Sequence, residues 1–226
     1  MVSEEAVRAS IVETVRRMRQ EGLVVGTAGN VSARVPGAEQ FWITPSGVDY
    51  AGLTAGDLVC VDLAGRTVSG ILKPSSDTSN HAAIYRHRDD AAAIVHTHST
   101  YATVFAVLRR EIPALLVEAA GYLGGALPVM EYLPPASPDL GERAATGLGQ
   151  HRAVLLPNHG VLTVGESADS ALTAALLVEQ SARVAYLASL LGPAAPLPPD
   201  EVGRMHRFLH HEYGQRPAPS VPGSAS

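Results

Sequence analysis

Cysteine is almost missing from this chain of 226 residues: Cys60 stands alone, so no internal disulfide framework is available. A single thiol fits a reducing cytoplasm best. Within Leu58-Val59-Cys60-Val61 it reads as a buried structural side chain rather than a nucleophile. There is no basic block, and the formal charge is −5, which argues against nucleic acid or an anionic membrane as partner. No apolar run nears membrane-spanning length. The opening Met1-Val2-Ser3-Glu4-Glu5 lacks the basic-then-apolar pattern of a leader, so a cytoplasmic location is expected. Internal repeats and long linkers are missing too. We therefore expect one α/β domain over 1–216 and a disordered Pro/Ser/Gly-rich tail over 217–226.

What is present centres on Ile94-Val95-His96-Thr97-His98-Ser99. Two histidines two residues apart share one face of a strand, whereas on a helix they would point about 200° apart. Ala91 to Val95 reads as a buried strand, which puts both imidazoles at its carboxyl end. Lys73-Pro74-Ser75-Ser76-Asp77-Thr78 upstream and Leu156-Pro157-Asn158-His159-Gly160 downstream look built to meet them. Three histidines and a carboxylate suit zinc with one position left open. Each histidine ends an apolar run, an expensive place for an imidazole without a partner.

Around this centre the pattern predicts a helix capped by Ser3 and running to Gln20, then strands Val31 to Val35, Phe41 to Thr44 and Leu58 to Leu63. A helix is expected from Ser76 to His87, with His81 facing the core, and another from Thr100 to Arg110, capped by Ser99. Ile112 to Val117 and Leu127 to Tyr132 read as strands separated by the glycine-rich 121–125. A short helix from Pro138 to Leu148 precedes a hairpin that turns at Asn158-His159. Helices from Ala168 to Leu191 and Asp200 to Glu212 complete the chain. The expected fold class is a mixed, largely antiparallel sheet covered by helices on both faces.

Three turns rich in glycine and small hydroxyls, Gly26 to Asn30, Thr44-Pro45-Ser46-Gly47 and Pro74-Ser75-Ser76, suggest a neutral phosphate cup. Backbone N–H groups at a helix start bind phosphate without a lysine. Gly26-Thr27-Ala28-Gly29-Asn30-Val31-Ser32, Ile43-Thr44-Pro45-Ser46-Gly47, Pro74-Ser75-Ser76, His96-Thr97-His98 and Asn158-His159-Gly160 occur in the order and spacing of the class II aldolase/adducin family, which the chain resembles over nearly its whole length. The resemblance implies one zinc ion on His96, His98 and His159. It implies sugar phosphate held by Asn30, Ser46, Gly47, Ser75 and Ser76. It further implies a homotetramer with sites near subunit boundaries and a functional tyrosine at Tyr213, in Glu212-Tyr213-Gly214.

The family includes L-fuculose-1-phosphate aldolases, which carry glutamate where this chain has Asp77, and L-ribulose-5-phosphate 4-epimerases, which carry aspartate there. Ser75-Ser76-Asp77-Thr78 resembles the epimerases. The short stretch from Tyr132 to Val154 resembles the aldolases, as does the lack of a His-Ala-Asp-Tyr segment at 118–122. A ketose phosphate offers a carbonyl and a neighbouring hydroxyl, and cleaving the adjacent carbon–carbon bond leaves an enediolate whose charge a divalent cation stabilises. Asp77 is the expected base or, being shorter than glutamate, a metal ligand. Glu118 is a second candidate carboxylate or a buried structural one. The expected activity is zinc-dependent cleavage of a ketose 1-phosphate to dihydroxyacetone phosphate and a small aldehyde. The alternatives are an epimerase or decarboxylase and a non-catalytic adducin-like module.

Overall fold

The computed structural model describes residues 2–134, 137 and 139–213. Ser3 caps the first helix, accepting from the Ala6 N–H at 3.2 Å, and α1 (Glu4–Gln20) buries Val7, Ile11, Val15 and Met18 along one face. The strands are β1 (Asn30–Ala33), β2 (Gln40–Ile43), β3 (Val59–Asp62), β4 (Thr67–Ser69), β5 (Ala93–Thr97), β6 (Ala153–Leu156) and β7 (Gly160–Gly165). They form one seven-stranded sheet in the order β4-β3-β2-β1-β5-β7-β6, with every strand pair antiparallel.

Helices cover both faces. Residues alternate across each strand, so Val31, Ala33, Ala93 and Val95 pack on α1 and on α6 (Ala168–Ser189). Ile43, Val59, Ile94, Leu162 and Val164 pack on α2 (Thr78–His87) and α5 (Leu140–Leu148) at the opposite face. β5 lies between β1 and β7, with all five residues buried. This explains why it reads as a continuous apolar run rather than an alternating one. Among the described residues no helix is long and apolar enough to cross a membrane.

Three expectations are corrected. Among the described residues, Ile112 to Val117 and Leu127 to Tyr132 form no strands and make only the single bridges Ile112–Leu127 and Val129–Leu155. Between them the chain winds into α4 (Val117–Leu123), after α3 (Thr100–Leu108). Gly121 serves packing rather than a turn. A Cβ there would meet Met205 at 2.9 Å, so the glycine lets α7 (Pro199–His211) lie close against α4. Short apolar runs suit strand or helix equally by pattern, and this contact decides. α2 begins at Thr78, two residues later than expected, because Ser75 and Asp77 are held in the preceding turn. β4 is an exposed edge strand without apolar alternation, and sequence reasoning missed it.

Candidate metal centre

His96 is the fourth residue of β5, completely buried, and His98 follows the strand, its N–H donating to Leu23 O at 3.1 Å. The β6–β7 hairpin carries His159 to them. Asn158 takes the left-handed conformation (φ 58°), which asparagine tolerates better than most residues. Gly160 then passes so close to β5 that a Cβ would sit 2.2 Å from Thr97 O and 3.1 Å from the His98 ring. Only glycine fits there.

The three Nε2 atoms converge: His96 to His98 at 3.0 Å and His96 to His159 at 3.3 Å. His96 Nδ1 is 3.0 Å from Val161 O, and a carbonyl only accepts, so Nδ1 carries the proton and Nε2 presents a lone pair to the cluster. Burial pushes His96 down to about 3, an effect that nearby Asp77 opposes and His159 and His98 reinforce. Burial also lowers His98. Three imidazole nitrogens converging in this way are the donor set of a divalent metal site, which these residues fit.

Asp77 precedes α2, but its side chain accepts no backbone N–H of that helix. It is therefore no simple cap. Its Oδ2 accepts from Asn30 Nδ2 at 2.7 Å and lies 3.8 Å from His96 Nε2. Burial alone would raise this carboxyl, but His96, His81, the Asn30 bond and His159 together hold it below the ordinary carboxylate value. Asn80 Nδ2 approaches the other oxygen at 3.3 Å. His81, fully buried, bonds Ser32 Oγ at 2.7 Å, and Ser32 Oγ lies 2.8 Å from Tyr85 OH.

The serine turns lie beside this carboxylate. Ser46 N–H donates to Lys73 O and Ser75 N–H to Thr44 O, while Pro45 and Pro74 form a bridge. Ser46, Gly47 and Ser76 stay exposed at this junction, and Ser75 is buried, its hydroxyl accepting from Asp77 N–H. Asn30 sits deeper, spending one amide N–H on Asp77.

Other expectations fare differently. Ser99 does not cap α3. The Glu179 carboxylate from α6 does, accepting from Tyr101 N and Ala102 N at 2.9 Å each. Glu118 is exposed in the first turn of α4, not a buried carboxylate. Cys60 is buried and free, as expected, with its thiol raised chiefly by burial. Tyr213 is 68% exposed and packs on Phe208, touching none of the three histidines within one chain. Gly214 and the tail 217–226 lie outside the described residues. Asn80, His81 and Glu179 were not singled out as site residues from sequence. Asn80 and His81 are polar side chains on the buried face of α2, and Glu179 is half-buried on α6.

A seven-stranded antiparallel α/β sheet carrying three convergent histidines and an adjoining carboxylate defines a metal-dependent enzyme of the class II aldolase type. Residues 9–186 match the Class II Aldolase and Adducin N-terminal domain. The chain is 34% identical to the 5-deoxy-D-ribulose 1-phosphate aldolase of Bacillus thuringiensis serovar kurstaki, with 92% of this chain and 97% of that protein covered. It is 37% identical to the L-fuculose phosphate aldolase of Escherichia coli K12, covering 80% and 82%. A solved L-fuculose 1-phosphate aldolase superposes with a TM-score of 0.88 at 33% identity, covering 93% of this chain and 98% of that one. The chain belongs to the class II aldolase/adducin family, as a homologue of carbon–carbon lyases.

Proposed function

We propose that the protein is a zinc-dependent aldolase that cleaves a ketose 1-phosphate to dihydroxyacetone phosphate and a small aldehyde. The observation that carries this reading is the Asp77 carboxylate, 3.8 Å from His96 Nε2 within the three-histidine cluster and one turn from the paired serine loops. His96, His98 and His159 hold the cation, which supplies Lewis-acid stabilisation of the charge that develops when the carbon–carbon bond breaks. Ser46, Gly47, Ser75 and Ser76, with the remaining N–H of Asn30, hold the phosphate, which keeps the substrate's other end beside Asp77. Asp77, kept ionised by its neighbours, takes the proton from the hydroxyl on the breaking bond and returns it to the carbon of the departing enediolate, which completes dihydroxyacetone phosphate and restores the carboxylate. Tyr213, exposed at the end of α7, serves a neighbouring subunit's site in a homotetramer, where its hydroxyl hydrogen-bonds the aldehyde oxygen as it forms and protonates that oxygen only when an aldehyde adds in the reverse direction. The lone buried thiol supports a cytoplasmic setting.

Both named relatives act on deoxy ketose phosphates that end in a methyl group. A cavity of about 140 Å³ beside His159, lined by Met130, Tyr132, Leu133 and Leu140, suits such an apolar end. A second reading, epimerisation of a ketopentose phosphate by the same bond cleavage and re-addition, is favoured by Asp77-Thr78 alone. Metal analysis combined with product assays on L-fuculose 1-phosphate, 5-deoxyribulose 1-phosphate and L-ribulose 5-phosphate tests the proposal. Dihydroxyacetone phosphate from either 1-phosphate supports it. Turnover of ribulose 5-phosphate alone favours the epimerase, and metal-free protein without turnover favours a non-catalytic module.

A further inference from the structure

The Asp77 carboxylate is gripped from two sides. Asn30, from β1, donates to Oδ2 at 2.7 Å, and Asn80, from the first turn of α2, donates to Oδ1 at 3.3 Å. An ionised carboxylate only accepts, so each amide must turn its nitrogen toward Asp77 and its oxygen away. Both oxygens, Asn30 Oδ1 and Asn80 Oδ1, are then left buried with no partner among the described residues. Asn80 is 1% exposed. An asparagine inside a helix is a poor helix former, and an unpaired buried amide oxygen is costly. Ala82, Ala83 and Ile84 supply the apolar packing of α2, while Asn80 and His81 are buried polar positions that face Asp77 and Ser32.

The need for it follows from geometry. The terminal torsion of aspartate is broad and roughly two-fold, so one tether at Oδ2 leaves the carboxylate free to rock. A second donor at Oδ1 removes that freedom and keeps Oδ2 turned to His96. The wall behind Asn80 is itself locked, because His81 is tied through Ser32 to Tyr85, joining the start of α2 to β1. We propose that Asn80 is a positioning residue, orienting the Asp77 carboxylate toward the histidine cluster by gripping the oxygen that Asn30 leaves free.

Two measurements test this, and only the second rests on the proposed aldolase reading. In metal-free protein, a double-mutant cycle of Asn80→Leu and Asp77→Asn is followed by urea unfolding. Asn80 holding Asp77 makes the two losses non-additive, the second substitution costing less once the first is present. Strictly additive losses overturn the proposal. In the metal-loaded enzyme, Asn80→Leu is expected to lower kcat about tenfold with KM unchanged, the size of one hydrogen bond to a charged group. A raised KM at unchanged kcat also overturns it. Should Asn80→Leu not fold, Asn80→Ala is carried through the same cycle and kinetics. If the native enzyme cleaves neither 1-phosphate, the aldolase reading fails while the unfolding cycle still decides the role of Asn80.

Discussion

At the scale of single residues, the centre is made by lone pairs. The Val161 carbonyl accepts a hydrogen bond from His96 Nδ1–H, and that one bond decides which ring nitrogen faces His98 and His159. His159→Ala removes one of three donors while leaving the β6–β7 turn residue Asn158 in place, so metal content measured after dialysis should fall from one ion per chain to near zero, and turnover with it. Stoichiometric metal in that variant would rule out the three-histidine site. The spacing His96-x-His98 and the apolar runs before each histidine made these ligands legible in the sequence. Asn80 was not legible, because one amide in a helix carries no signal until the fold sets it against Asp77.

At the scale of elements, the site depends on how strand ends and helix starts are held. α3 begins two residues after His98, and its first free N–H groups are taken by Glu179, 77 and 78 residues further along the chain. A carboxylate at a helix N-terminus also meets the positive end of the helix dipole. Glu179→Ala should cost about 1–2 kcal/mol, the range of a lost helix cap. Chemical denaturation checks this: an unchanged midpoint would show that Tyr101 N and Ala102 N find other partners. The boundaries of α1, α5, α6 and the β6–β7 hairpin were readable from caps, periodicity and turn residues. α4 was not, since Gly121 looks like a breaker until α7 is seen against it.

At the scale of the whole molecule, burial of titratable groups ties stability to pH. Burial holds His81 down at about 4 against an ordinary value of 6.5, with Asp77 opposing the shift. Between about pH 6.5 and 4 the unfolded chain therefore binds a proton that the folded chain refuses. Folding stability falls on acidification through that window, by up to about 1.4 kcal/mol per pH unit for this group. In metal-free protein His81→Phe should flatten the slope there, provided the variant folds. An unchanged slope would mean that His81 does not refuse the proton. Assembly belongs to this scale as well. If Tyr213 serves a neighbouring subunit, Tyr213→Phe should lower kcat with KM and metal content unchanged, and size-exclusion chromatography should show the same oligomer. A fully active monomer would refute the shared site.

The sequence by itself determined the α/β class, the central buried strand, the histidine pair with its distant partner and the serine turns, because periodicity and turn chemistry are local properties. Only the tertiary structure decided that the Asp77 carboxylate leaves the backbone of its helix uncapped and is held between Asn30, Asn80 and His96. It also decided that Glu179 rather than Ser99 caps α3, and that 117–123 is helix. Each of these rests on a contact between residues brought together by the fold, or on a helix packed against one of two possible conformations. Backbone preference leaves such choices within about 1 kcal/mol, and burial and hydrogen bonding across the fold then select one.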